Sequence, residues 1–348
     1  MATLPKTQRA LIFEKYNSEL KIIERPVPVP EDDELLVRIE YSGICHSDLH
    51  AWLGDLASMT KENLVGGHEG AGEVVVIGKN CKGWQLGDKA GVKLFNVNCL
   101  NCEFCKKGHE PCCPHKESYG FDRDGTFQEY LTIRAVDAIK INKKTCLASA
   151  APILCAGVTV YKALKESNVR PGQIVALTGA GGGLGSLGIQ YANAMGMRVI
   201  AIDHPSKEEH CKKLGAEWFI DAFTTDDIVK KLIEITEGGP HGVINLAVAK
   251  KPMEQALEYV RKQGTVVFVG LPKDSVVSFD TTPFIFNAIT LKGSIVGSRL
   301  DVDEAIEFVT REIVKVPLEL VKLEDVGKVY EKMLNGTITS RAVVDFSL

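Results

Sequence analysis

The chain has 348 residues, which at ~150 residues per domain amounts to about two domains. Its 45% hydrophobic and 25% charged residues are the balance of a folded globular protein and exclude a disordered one. The net charge of −4 supplies no basic field, so neither nucleic acid nor a membrane is expected as a partner.

The N-terminus, Met1-Ala-Thr-Leu-Pro-Lys6, carries no apolar run behind a basic start, so a cytoplasmic rather than a secreted protein is expected. Leu35 to Glu40 alternates toward a strand, after an extended Pro26-Val-Pro-Val-Pro30 connector. Glycines from Gly66 to Gly87 punctuate short apolar runs such as Val74 to Ile77. This β-rich first part predicts a barrel or sandwich of short strands.

Five of the ten cysteines crowd into one segment: Cys99, Cys102, Cys105, Cys112 and Cys113. In a reducing compartment such spacing favours a metal over disulfides. Cys99, Cys102, Cys105 and Cys113, turned by Gly108 and Pro111, can wrap a tetrahedral zinc. Four sulfurs leave no open position, so the site is expected to be structural. Spacing alone does not separate Cys112 from Cys113. Lys106, Lys107 and Lys116 are cancelled by Glu103, Glu110 and Glu117, which argues against a nucleic-acid zinc knuckle. A second, dispersed set consists of Cys45, His68 and Cys155. Three protein ligands and one open corner would suit a catalytic zinc, although each residue taken singly is unremarkable.

From about Ala156 the pattern changes to strands alternating with helices: Ile174 to Thr178, Arg198 to Ile202, Trp218 to Ile220, Val243 to Leu246 and Thr265 to Val269 as strands. Lys207 to Leu214 reads as a helix, as does the apolar face of Met253, Ala256, Leu257 and Val260. A doubly wound parallel sheet is expected. The uncharged stretch from Ile174 to Met197 has the length of a membrane span, but its seven glycines split it into a strand, a tight loop and a buried helix. That loop contains Gly179, Gly181, Gly182, Gly183, Leu184 and Gly185, where backbone N–H groups at a helix N-terminus can receive a pyrophosphate. Asp203 ends the next strand, where a carboxylate bonds ribose hydroxyls and repels a 2′-phosphate, so NAD is expected over NADP. Toward the end, Asp301 is a candidate N-cap with Glu304 three residues on, and Arg341 to Asp345 is a final strand that returns to the first domain.

Gly67-His-Glu-x2-Gly72-x5-Gly78 resembles the signature of zinc-containing medium-chain alcohol dehydrogenases, and Cys45-His-Ser-Asp-Leu-His50 resembles their first catalytic segment. The cysteine lobe is similar to their structural zinc site, and Gly157-Val-Thr-Val-Tyr-Lys-Ala-Leu164 is similar to the tetrameric, yeast-type members. The resemblance implies an α/β chain: a GroES-like catalytic domain over 1–156, a Rossmann domain over 157–290, and a return over 291–348. It implies two zinc ions and NAD per subunit, a small alcohol or aldehyde as substrate, and a homotetramer. Cys45, His68 and Cys155 would hold the catalytic zinc, with Glu69 as an alternative ligand and Asp48 orienting His68. Ser47 and His50 would relay the proton. Thr159 would meet the nicotinamide, Val269 would bind the cofactor, and His46, Lys207 and Arg341 would meet its phosphates or ribose. Leu56, Leu94 and Leu271 stand where yeast-type enzymes often carry tryptophans, implying a wider substrate pocket. A polyol dehydrogenase and a retired, structural scaffold are the rival readings; the intact cysteine lobe speaks against the first and the intact Cys45, His68 and Cys155 against the second.

Overall fold

The computed structural model describes residues 4–272, 276–338 and 340–348. The chain divides into two units, one of Met1–Cys155, Gly297–Arg311 and Val316–Leu348, the other of Ala156–Val296 and Glu312–Lys315.

The first unit is built on the ten-residue strand Glu34–Gly43, in which Val37, Ile39 and Tyr41 are β-favouring. One edge of it pairs antiparallel with Glu69–Ile77 along nearly its whole length. Its other edge is shared, the first half taken by Tyr130–Arg134 and the second half by the last strand, Arg341–Asp345. Lys89–Val92 and Ile139–Ile141 extend one side, and Leu318–Val321 pairs parallel with the last strand to extend the other. A three-stranded sheet of Leu20–Pro26, Thr7–Phe13 and Leu64–Val65 completes the β-rich part. Leu11, Ile44, Phe127, Val326, Tyr330 and Val344 are among the buried side chains that join helix Val326–Leu334 to these strands. The C-terminal segment therefore returns to the first unit.

The second unit holds six parallel strands in the order Trp218–Asp221, Arg198–Asp203, Ile174–Thr178, Gly242–Asn245, Thr265–Phe268, Thr290–Gly293. The order reverses between Ile174–Thr178 and Gly242–Asn245, the switch point at which doubly wound sheets receive ligands. Ile174–Thr178 is fully buried, as expected for a strand covered on both faces. The sixth strand begins at Thr290 and runs to Gly293, so the parallel sheet continues past 290 and the return to the first unit begins at Gly297.

The uncharged stretch resolves into strand Ile174–Thr178, the glycine loop and helix Gly183–Ala194. Among the described residues no single helix is long and apolar enough to cross a membrane. Helix Arg299–Thr310 is capped one turn earlier than expected. Ser298 is its N-cap, accepting from the Asp301 N–H at 3.2 Å, while the Asp301 carboxylate accepts from the Ser298 N–H at 2.9 Å. Asp301 therefore closes a capping box from inside the helix and does not cap it.

Candidate active site

Helix His46–Leu53 begins at Cys45. The third helical residue, Asp48, folds back so that its Oδ2 accepts the Cys45 N–H at 2.8 Å. Its other oxygen, Oδ1, lies 2.6 Å from His68 Nδ1. A carboxylate only accepts, so Nδ1 carries a proton and Nε2 is the ring nitrogen left to offer a metal. That Nε2 is fully buried and has no hydrogen-bond partner. Beside it lie the thiols of Cys45 and Cys155 and the carboxylate of Glu69, with donor atoms of all four residues within 4.8 Å of one another. His68 and Glu69 are wholly buried, and Cys45 and Cys155 are 6% exposed.

The Cys155 thiol, hydrogen-bonding to Cys45, draws the Cys45 thiol well below its usual value against the opposing effect of burial. Cys155 is pushed correspondingly up. Burial disfavours a charged His68, but the Asp48 carboxylate outweighs it and raises the imidazole. Two sulfurs, one imidazole lone pair and a desolvated setting are the donor set of a catalytic zinc, and the orphaned Nε2 is explained by a metal. The residues present fit that ion.

Glu69 is paired with Arg341, whose Nη2 donates to both carboxylate oxygens at 2.7 and 2.6 Å. Burial pushes Glu69 up to about 7 against the pull of the guanidinium. Arg341, expected at the cofactor, is thus buried at 5% exposure, with its Nε still unpartnered. Ser47 Oγ stands 3.7 Å from Cys45 Sγ. His46 is exposed, and His50 Nδ1 lies 2.9 Å from Asp55 Oδ2.

The cysteine lobe gathers Cys99, Cys102, Cys105 and Cys113, again with sulfurs within 4.8 Å. The Cys102 N–H donates to Cys99 Sγ at 3.2 Å and the Cys99 N–H to Cys113 Sγ at 3.4 Å. Backbone donors from Asn101 and Cys102 lower the Cys99 thiol to about 6, while burial and its neighbours push Cys105 up to about 12. Cys113 is buried; Cys112 is exposed and outside the group. Four sulfurs in this arrangement fit a closed zinc site.

In the second unit, Asp203 ends its strand with Oδ2 accepting the Gly181 N–H and Oδ1 the His204 N–H, both at 2.7 Å. A β-carbon on Gly181 would press on Lys207 Cβ, and one on Gly185 would run into the Gly179 carbonyl. Gly185 is required by close packing within the loop and Gly181 by close packing against Lys207. At Gly182, the N-cap of helix Gly183–Ala194, the nearest atom to such a carbon is the Gly179 oxygen at 3.4 Å. The space beside Gly182 is open at a helix N-terminus, which fits a dinucleotide pyrophosphate. Thr159 is buried in helix Ala156–Glu166, and Val269 follows strand Thr265–Phe268 with its N–H on the Asn245 carbonyl.

Leu56 and Leu94 are half-buried in the first unit, and Leu271 in the second is 69% exposed. Sequence reasoning missed Asp55, whose signal is a Gly-Asp pair closing the helix that carries His50. It also missed Asn245, whose Oδ1 accepts from Thr178 Oγ1 at 2.7 Å across the switch point.

Comparison with known proteins places this geometry in context. Residues 31–143 match the alcohol dehydrogenase GroES-like domain and residues 183–311 the zinc-binding dehydrogenase family. Alcohol dehydrogenase 1 of Caenorhabditis elegans is 78% identical over 345 residues, covering 99% of both chains. Alcohol dehydrogenase 2 of the same organism is 66% identical over 347 residues, covering 100% of this chain and 99% of the relative. The solved structure of acetophenone reductase from Geotrichum candidum, in complex with NAD, superposes with a TM-score of 0.86 at 28% identity, covering 99% of this chain and 98% of that one. With relatives this close over its full length, and with the four-cysteine set and the Cys45, His68, Glu69 and Cys155 set both assembled, the chain belongs to the zinc-type medium-chain alcohol dehydrogenase family.

Proposed function

We propose that this chain catalyses the reversible, zinc- and NAD-dependent oxidation of small primary or secondary alcohols to aldehydes or ketones, as a cytoplasmic homotetramer of the yeast type with two zinc ions per subunit. The observation that carries the reading is the buried, unpartnered Nε2 of His68 among two thiols and a carboxylate. Cys45, His68 and Cys155 would hold the catalytic ion, with Glu69 in reserve, and Cys99, Cys102, Cys105 and Cys113 the structural one. The catalytic zinc supplies Lewis acidity toward an alcohol oxygen, and NAD⁺ supplies the two-electron acceptor.

The protein's own groups do the rest. Asp48 fixes the His68 tautomer and orients its ring. Arg341 compensates the buried charge of Glu69. Ser47 Oγ takes the hydroxyl proton, and His50, with its side chain 36% exposed, passes it to water. The glycine loop offers N–H groups at Gly182 to the pyrophosphate, while Asp203 selects ribose hydroxyls over a 2′-phosphate. Thr159 serves the nicotinamide side, Val269 the cofactor, and His46, Lys207 and Arg341 the phosphates or ribose. Leu56, Leu94 and Leu271 offer less bulk than tryptophan and favour a broader range of alcohols.

The test combines metal analysis with a cofactor-reduction assay. Two zincs per chain and alcohol-dependent NADH formation, lost in Cys45→Ala, are expected. Full turnover in a protein with metal in the cysteine lobe alone would overturn the reading, and turnover of sorbitol in preference to small alcohols would favour a polyol dehydrogenase.

A further inference from the structure

The helix that carries His50 ends at Gly54 in the left-handed region, φ 80° and ψ 11°. A side chain there would be strained, and its β-carbon would meet Tyr16 Cγ at 2.9 Å. The reversal folds two N–H groups back onto the last turn. Gly54 donates to the Ala51 carbonyl at 3.2 Å and Asp55 to the His50 carbonyl at 3.0 Å. The second of these bonds ties Asp55 to His50 through the backbone. The side chains then meet as well, with Asp55 Oδ2 2.9 Å from His50 Nδ1. The Asp55 side chain is 18% exposed and that of His50 36%, so the acid is sheltered while the imidazole keeps contact with water.

The carboxylate can only accept, so His50 carries its proton on Nδ1 and keeps a lone pair on Nε2. An imidazole without such a partner exchanges between tautomers, and in the Nε2–H form that nitrogen cannot receive a proton. We propose that Asp55 is a positioning residue for the proton exit: it locks His50 in the Nδ1–H tautomer and stabilises the imidazolium that forms when Nε2 is protonated. The inference rests on His50 being the relay base and adds the group behind it. The logic is that of a carboxylate backing a general-base histidine, reached here through a helix C-terminal turn.

The balance is simple. Alcohol oxidation releases one proton with the hydride; His50 Nε2 takes the proton, the charge rests between imidazolium and Asp55, and Nε2 returns the proton to water.

The test uses the zinc-loaded, full-length protein and single-turnover NADH formation, so that product release does not mask the step. Asp55→Ala is expected to slow the single turnover about tenfold, below the ~10²-fold at which a lost acid–base group begins to register. It should also raise the solvent deuterium isotope effect, with zinc content and NAD affinity unchanged, and Asp55→Glu should recover most of the rate. Nitrogen-15 NMR of His50 is expected to show the Nδ1–H form in the wild-type chain and a shift toward Nε2–H in Asp55→Ala. An Nε2–H ring in the wild-type chain overturns the proposal without any variant. His50→Gln separates the two levels. If it slows the reaction while Asp55→Ala changes neither rate, isotope effect nor tautomer, Asp55 has no such role. If His50→Gln itself has no effect, the relay reading has failed.

Discussion

Asp48 uses both carboxylate oxygens, one on the Cys45 N–H and one on the ring of His68, so a single side chain sets a helix start and a ligand tautomer. Asp48→Asn keeps the shape but offers only one good acceptor. Zinc affinity of the catalytic site should fall about 10–100-fold, measured by competition with a chelator, while the cysteine lobe keeps its metal. An unchanged affinity would mean that the ring is oriented by its packing, for instance against Phe121 at 5.9 Å. Leu56 gives a second prediction at this scale. From ethanol to butanol or 2-propanol, kcat/KM should fall less in the wild-type chain than in Leu56→Trp, by about tenfold, the range in which pocket bulk discriminates. Equal falls would remove Leu56 from the pocket. Pairings such as Asp48 with His68 and His50 with Asp55 show what a sequence hides. The residue types are visible in the string, but which oxygen meets which nitrogen is decided by helix geometry and a left-handed glycine.

Among the elements, the cysteine lobe was the most legible, because four cysteines within one short segment are held close together whatever the rest of the chain does. Only the choice between Cys112 and Cys113 needed coordinates, through the burial of one and the exposure of the other. The cap of helix Arg299–Thr310 was less legible. Ser298 and Asp301 are both good caps three residues apart, and local spacing fits either start. If the lobe is held by zinc, Cys113→Ser should reduce the metal content by one and lower Tm by about 5 °C or more. A Tm unchanged within error would mean that the lobe is stable without it. Elsewhere in the same unit, Lys140 Nζ reaches Asp88 Oδ2 at 2.8 Å and ties strand Ile139–Ile141 to the start of Lys89–Val92. Lys140, helped by the Gln85 N–H, holds Asp88 below the ordinary carboxylate range. A depressed acid contributes stability above its unfolded value, near pH ~4, and loses it as pH falls through the folded value. Because Lys140 is half exposed, the contribution should stay below about 1 kcal/mol. Denaturant unfolding of Asp88→Asn should show a deficit at neutral pH that vanishes in acid. A deficit independent of pH would point to lost hydrogen bonds alone.

At the scale of the molecule, alternation of apolar strands and helices was enough to announce the parallel sheet, since strands buried on both faces leave a continuous apolar record. The β-rich unit was legible as a class but not as a pairing. Its central strand shares one edge between two partners drawn from residues 130–134 and 341–345, a choice made by tertiary packing and not by any local pattern. The dispersed donor set shows the same limit. Cys45, His68 and Cys155 lie 110 residues apart from first to last and acquired meaning in the sequence only through a family signature. Late completion of the first unit has a consequence for how the protein is made. The strand lying between Glu34–Gly43 and Leu318–Val321 is drawn from Arg341–Asp345, so it is synthesised long after its antiparallel partner, and it brings Arg341 to the Glu69 carboxylate. Nascent chains must therefore wait with an open seam in the sheet and an uncompensated acid beside the metal donors. A chain that stopped after Ser340 would lack this strand and leave that seam permanently unsewn.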